Sequence, residues 1–517
     1  MSGWYPQLTW GFRTRDNYTV RLNVPADFRL ATGASFDAKT SAWHAQGLRD
    51  FRFVLWKGIP ALEADAAGVK VVVLHTGKGS ATATVLRDTA VDVIKFFQGR
   101  FGFYPHPSLI IVPGAEQPMG GYPNGTAIIV VHGQERFQER PLDFWRWITA
   151  HEIGHMYWSE HLFSEGSDSL GWLMIGMGIY CDREYSRARG MTAQHKGFLK
   201  EYVGAVRDGY DTTLDRTPEH FLALKWDYNN KVIHGKAFSV ISALEFVVGG
   251  EAFARAHSRA LREYAGRRFN WRDLQRLCEE ESGQDLEWFF QQWVRSNRYL
   301  SYEITAQETT GNLTSVRIRR TGTLQMPVSV EAEFEDESRQ TRTVDRLLPE
   351  QTLQFTSATP LRQVRLDPQQ NLPLLVPPPD PTAMELALRI RELEYGSGKP
   401  GLVKDLYERA KKAGITREQD WTRLGLLLYE TAQYTEALDA FQTVAREAGS
   451  SGYAAPLAAV WQGHVLDLLG RREEALAAYR EALKKWPADF VLRHDQWGMK
   501  IDRKWVEDRQ AIPFAGK

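Results

Sequence analysis

His151-Glu152-Ile153-Gly154-His155 is the stretch that decides how the rest of this chain reads. Pro141 suits the first position of a helix. A helix running from it carries Trp147, His151 and His155 along one line, since residues four apart share a face. Two imidazoles so placed are close enough to grip one Zn²⁺, and the carboxylate between them can take a proton from metal-bound water. The metal would bring the pKa of that water towards ~7 and polarise a carbonyl, while Glu152 passes the proton to a leaving amine. The plain alternative is a helix that happens to carry two histidines.

Outward from this helix the pattern changes several times. Short β-rich runs at Val20–Val24, Phe51–Leu55 and Val69–Leu74, broken by Gly, Pro and Asp, predict an antiparallel β domain over residues 1–86. Ala90, Val93, Ile94 and Phe97 then recur at helical spacing and open a mixed domain over 87–299, with β runs at Leu109–Val112 and Ala127–Val131. Helices are expected over Trp172–Tyr185 and His234–Val248, the second closed by Gly249-Gly250. Alternation resumes from Tyr302 to Leu366 and predicts a smaller β domain over 300–372. Residues 373–381, with Pro377-Pro378-Pro379 inside them, read as a stiff linker. Residues 382–490 read as a helical domain with an internal echo, Tyr434–Phe441 against Arg472–Tyr479. Its small-large-aromatic spacing resembles tetratricopeptide repeats, with ordinary helical hairpins as the plain alternative. A tail is expected over 491–517, and the fold class expected is multidomain α+β.

Composition narrows the partners. Lysine plus arginine, 64, equals aspartate plus glutamate, 64, so no global field recruits nucleic acid or an anionic membrane. The only cysteines, Cys181 and Cys278, exclude a disulfide framework and leave any metal to His and carboxylates. The 17 Trp point to packed cores. The start, Met1-Ser2-Gly3-Trp4-Tyr5-Pro6, lacks a basic segment followed by an apolar stretch, and no run approaches the ~20 apolar residues of a membrane span. As written, a cytoplasmic chain without a membrane span is expected.

Between about Trp4 and Pro368 the sequence resembles the aminopeptidase N family of gluzincin zinc metallopeptidases. The matching pieces occur in order: Val24–Phe28 with Ala31-Thr32-Gly33, Phe96–Pro105, the Tyr122-Pro123 turn, His151–His155, Trp172-Leu173, Gly235-Lys236, Asp285-Leu286 with Trp293, and Leu366-Asp367-Pro368. The resemblance implies a β-sandwich truncated relative to the family, a thermolysin-like α+β catalytic domain and a small β-sandwich. The helical repeat stands where relatives carry a larger helical domain. It also implies zinc held by His151 and His155, with Glu152 as general base.

Three positions depart from the family pattern. Relatives open the next helix with Trp-Leu-Asn-Glu-Gly, whose Glu is the third zinc ligand; here Trp172-Leu173-Met174-Ile175-Gly176 puts Ile175 there. Asp182, two turns further along the same face, stands where relatives carry a carboxylate supporting a ligand, and is the weak candidate for ligation. Glu160, Glu165 and Asp168 are lesser candidates, otherwise solvated charges. The family's oxyanion-stabilising Tyr is replaced by His234, whose imidazole can donate a hydrogen bond. The Glu that binds a substrate's free amine aligns with Gly121, beside Tyr122, with Glu116 as the substitute if the alignment slips. Two functions follow. One is a zinc metallopeptidase acting through a metal-activated water. The other is an inactive pseudopeptidase that binds a peptide in the cleft and a protein partner on the helical repeat.

Overall fold

A computed structural model describes residues 16–48, 50–115, 120–164, 171–191, 193–207, 211, 213–215, 231–375, 381–393, 395–396, 398–415, 418–447, 454–486, 492–494 and 497–516. The chain is mixed α/β and forms two compact units, residues 1–203 with 211–378 and residues 204–210 with 379–517. No described helix is long and apolar enough to cross a membrane.

The first unit opens with five short strands, β1 (Asp16–Val20), β2 (Arg29–Thr32), β3 (Ser35–Asp37), β4 (Ala42–Leu48) and β5 (Phe53–Trp56). They form a sheet ordered β1-β4-β3 and a β2-β5 pair. The first strand stops at Val20, so the run expected to reach Val24 is not extended pairing. Next come β6 (Ala61–Ala66), β7 (Val69–Leu74), helix α1 (Ser80–Phe101), β8 (Ser108–Pro113), β9 (Gly120–Pro123) and β10 (Ile128–His132). Their sheet runs β6-β7-β8-β10-β9, parallel at the centre and antiparallel at both edges.

Val71-Val72-Val73 and Leu109-Ile110-Ile111 are unbroken apolar runs because both faces of this sheet are covered. Val72, Leu74, Ile110 and Ile128 pack on Ala31 and Trp56, while α1 packs on β6 and β7. The boundary expected at residue 86 is corrected by this arrangement. A parallel pair needs a crossover connection, and β7, α1 and β8 form one such unit across that position.

Helices follow: α2 (Leu142–Tyr157), α3 (Trp172–Ala188), α4 (Ala193–Arg207), α5 (Ala237–Val248), α6 (Gly250–Glu263), α7 (Trp271–Ser282) and α8 (Glu287–Trp293). Pro141 is extended and caps α2 instead of occupying its first turn. The helix expected from His234 starts at Ala237, because Lys231–Lys236 forms a π-helical turn. Residues 302–366 fold into two three-stranded antiparallel sheets.

The second unit is helical, with α9 (Pro381–Glu392), α10 (Pro400–Ala413), α11 (Glu418–Glu430), α12 (Tyr434–Glu447), α13 (Ala454–Leu468) and α14 (Arg472–Lys485). Consecutive helices pack as hairpins, and the echoed residues Ala437, Phe441, Ala475 and Tyr479 are buried in one common core. Residues beyond 490 are not a free tail. Trp497 lies against Tyr429 and Trp461 with ring centroids 5.5 and 5.6 Å away. Ile501, Val506 and Phe514 are buried in the same core. Of the expected linker, residues 376–380 lie outside the described residues.

Candidate active site

Helix α2 packs against α1, α3 and strand β9, and from Ile148 onward every residue of it is buried. That is why the second half of this helix reads apolar on most sides. The rings of His151 and His155 meet edge to face with centroids 4.9 Å apart, as their four-residue spacing dictates.

Each imidazole has one nitrogen already committed. His151 Nδ1–H donates to Asp182 Oδ2 at 2.8 Å, and His155 Nδ1–H donates to the Trp158 carbonyl at 3.3 Å. A carbonyl can only accept, so His155 Nε2 is left without a proton when the ring is neutral. Burial, reinforced by the charge of His151, pushes the His155 pKa down to about 3. Burial would lower that of His151 too, but the hydrogen bond it donates to Asp182 and the charges of Glu152 and Asp182 outweigh it and raise the value. Asp182 is fully buried, yet the two imidazoles beside it hold its carboxyl below the ordinary range.

Two glycines make the close packing possible. A Cβ on Gly178 of α3 would lie 2.6 Å from His155 Cε1 and 2.8 Å from its Nδ1, so this ring rests directly on helix backbone. Gly178→Val is expected to displace the ring and lower stability by about 1–3 kcal/mol, read as a drop in the urea midpoint. A Cβ on Gly121 of β9 would lie 3.0 Å from Glu152 Cγ and Oε1. The glycine at position 121 therefore leaves the room in which Glu152 sits.

Glu152 is 1% exposed and its Oε2 has no hydrogen-bond partner. Burial raises its pKa from 4.5 to about 7; His151 opposes this and Asp182 adds to it. An acid whose folded-state value is raised destabilises the fold as pH climbs above its unfolded value, until both states are ionised. In metal-free protein, Glu152→Gln is therefore expected to match the parent near pH 4 and exceed its stability by about 3 kcal/mol above pH 7. Urea unfolding at a series of pH values measures this.

Around the histidines stands a row of rings. Trp147 lies 5.5 Å from His151 and 6.1 Å from Phe198, and Phe198 stacks on His234 at 6.3 Å between centroids. Tyr122 is 45% exposed on β9, where it faces His132. Among the described strands β9 ends its sheet, so its outer edge has no partner.

Ile175, where the sequence resemblance leads one to expect a ligand, packs with Ile179, Phe198, Leu199 and Phe238 in an apolar cluster. Asp182 has one oxygen on His151 and the other on His195 Nε2–H. Among the described residues no three His, Cys, Asp or Glu side chains stand together as a metal site. Two imidazoles with an isoleucine in the third place do not fit a tetrahedral Zn²⁺, which takes at least three protein donors. Glu160, expected as a solvated charge, is only 4% exposed in the turn that follows α2. Glu116, Glu165 and Asp168 lie outside the described residues.

Sequence reasoning missed His195. It comes from α4 inside Gln194-His195-Lys196, a polar string with no spacing relation to the motif. Only the pairing of α3 with α4 brings it to Asp182.

No protein-family model matches this chain.

Proposed function

We propose that this chain is a pseudopeptidase of the aminopeptidase N type, in which the cleft beside β9 binds an extended peptide without hydrolysing it. The observation that carries this reading is Ile175, seated in an apolar cluster where the resemblance calls for an anionic ligand. Asp182 does not make up the deficit, because both its oxygens are engaged by imidazoles. Peptide binding is supported by the outer edge of β9, which has no partner among the described strands and offers backbone groups for strand addition. The exposed ring of Tyr122 on that strand and the row of Trp147, Phe198 and His234 offer contacts for side chains. The layout behind the reading is a truncated β-sandwich, a thermolysin-like domain, a small β-sandwich and a tetratricopeptide-like array that engages a protein partner.

The competing reading, a working zinc metallopeptidase, draws on His151, Glu152 and His155, whose Nδ1 bonds leave both Nε2 atoms available. Metal content separates the two. Protein purified without chelators is expected to hold well under one zinc per chain, to release no amine from aminoacyl anilides, and to retain members of a blocked hexapeptide library. Zinc near one per chain together with anilide cleavage that Glu152→Gln abolishes would overturn the pseudopeptidase.

A further inference from the structure

Asp182 is wholly buried and is gripped from two sides by different helices: α2 supplies His151 and α4 supplies His195. An aspartate carboxyl turns readily about its last bond, where the torsional wells are broad and two-fold. With one hydrogen bond it can present either oxygen over a range of angles. A second bond from the opposite side removes that freedom.

His195 is suited to no other task. It is 4% exposed and lies beside the Phe238 ring, 5.8 Å between centroids, next to the apolar cluster that holds Ile175. Its Nδ1 is buried with no hydrogen-bond partner. Burying an unsatisfied ring nitrogen is unfavourable, and an apolar side chain would fill the same place without that cost. Among the described residues its one polar contact is Asp182.

We infer that His195 is a positioning residue: it clamps Asp182, Asp182 in turn holds His151 by Nδ1–H, and His151 is thereby left with Nε2 as its single free ring nitrogen. Helix α4 thus belongs to the site although it lies outside the His-Glu-His motif. The consequence for peptide affinity rests on the proposed peptide-binding reading; the clamp itself does not.

The test uses the full chain with ¹⁵N-labelled histidine and three variants at this position. In the parent, the His151 Nδ1–H proton is expected as a protected, slowly exchanging resonance. His195→Phe keeps the bulk and removes the donor, and should speed exchange of that proton at least about tenfold, with a lower urea midpoint because Asp182 Oδ1 is left buried without its donor. His195→Gln keeps a donor of similar reach and should restore protection. His195→Asn, too short to reach, should not, and the Gln and Asn pair decides the matter if the Phe variant does not fold. Unchanged His151 exchange in the Phe and Asn variants overturns the clamp. Affinity for the tightest hexapeptide retained by the parent is read in parallel and should weaken about tenfold in the variants that lose the clamp. If the parent retains no hexapeptide while the exchange pattern holds, the clamp stands and the peptide-binding reading falls.

Discussion

Ile175→Glu is expected, on the pseudopeptidase reading, to raise the affinity of the His151–His155 centre for zinc about 10²–10³-fold. Four-ligand zinc sites are worth roughly 10–16 kcal/mol, or about 2.5–4 kcal/mol for each donor, and every 1.4 kcal/mol is tenfold. The gain should lie at the upper end, since the new donor is the first anion in the set. The substitution has an opposing cost: Ile175 packs on Phe198, Leu199, Ile179 and Phe238, and a glutamate there without metal buries a polar group for about 1–3 kcal/mol. The variant should therefore be less stable than the parent when metal-free and more stable at saturating zinc. Competition against a chromogenic chelator gives the affinity, and thermal unfolding with and without zinc gives the crossover. A variant that binds zinc no better than the parent places Ile175 off the ligand position and removes the main support for the pseudopeptidase.

What the sequence disclosed follows from which interactions are local. The motif helix was legible because the 151 to 155 spacing is a property of a single helix, and the central strands were legible because Val69–Leu74 and Leu109–Val112 are long enough apolar runs to be buried on both faces. The boundary at residue 86 misled because the change from strand to helical period there marks a crossover within one sheet, and a period says nothing about which strand pairs with which. Glu160 was misread for a similar reason: a charge in a loop reads as solvated until the turn after α2 is seen to bury it. The segment after 490 looked like a tail because no long periodic run marks it, whereas burial of Ile501, Val506 and Phe514 against other helices is a long-range property. His195 is the sharpest case. Its role depends on Asp182, thirteen residues earlier on a different helix, and no residue near it in sequence signals that contact.

Asp182→Ala is expected to be the most damaging single change at the centre, costing about 3–5 kcal/mol near pH 6, because it leaves two buried imidazoles without the anion that holds them. Its pH dependence can be worked out from both partners. Asp182 has a carboxyl held below the ordinary value of 3.8, so its contribution is present above that value and is lost as pH falls through the lower folded-state value. His151 is raised above 6.5, so its contribution is present below 6.5 and is lost as pH rises through the higher folded-state value. The pair is therefore worth most in the window between, where the carboxylate is ionised in both states and the imidazole is charged in both. The stability gap between parent and Asp182→Ala, taken from urea midpoints, should be widest from about pH 4 to 6.5 and narrow on either side. Asp182→Asn keeps the shape and one acceptor but removes the charge, so it should show a smaller gap with the same outline. A gap that stays constant across the whole range would mean that Asp182 supports the fold by packing alone, and that the His151 and His195 contacts add nothing by charge.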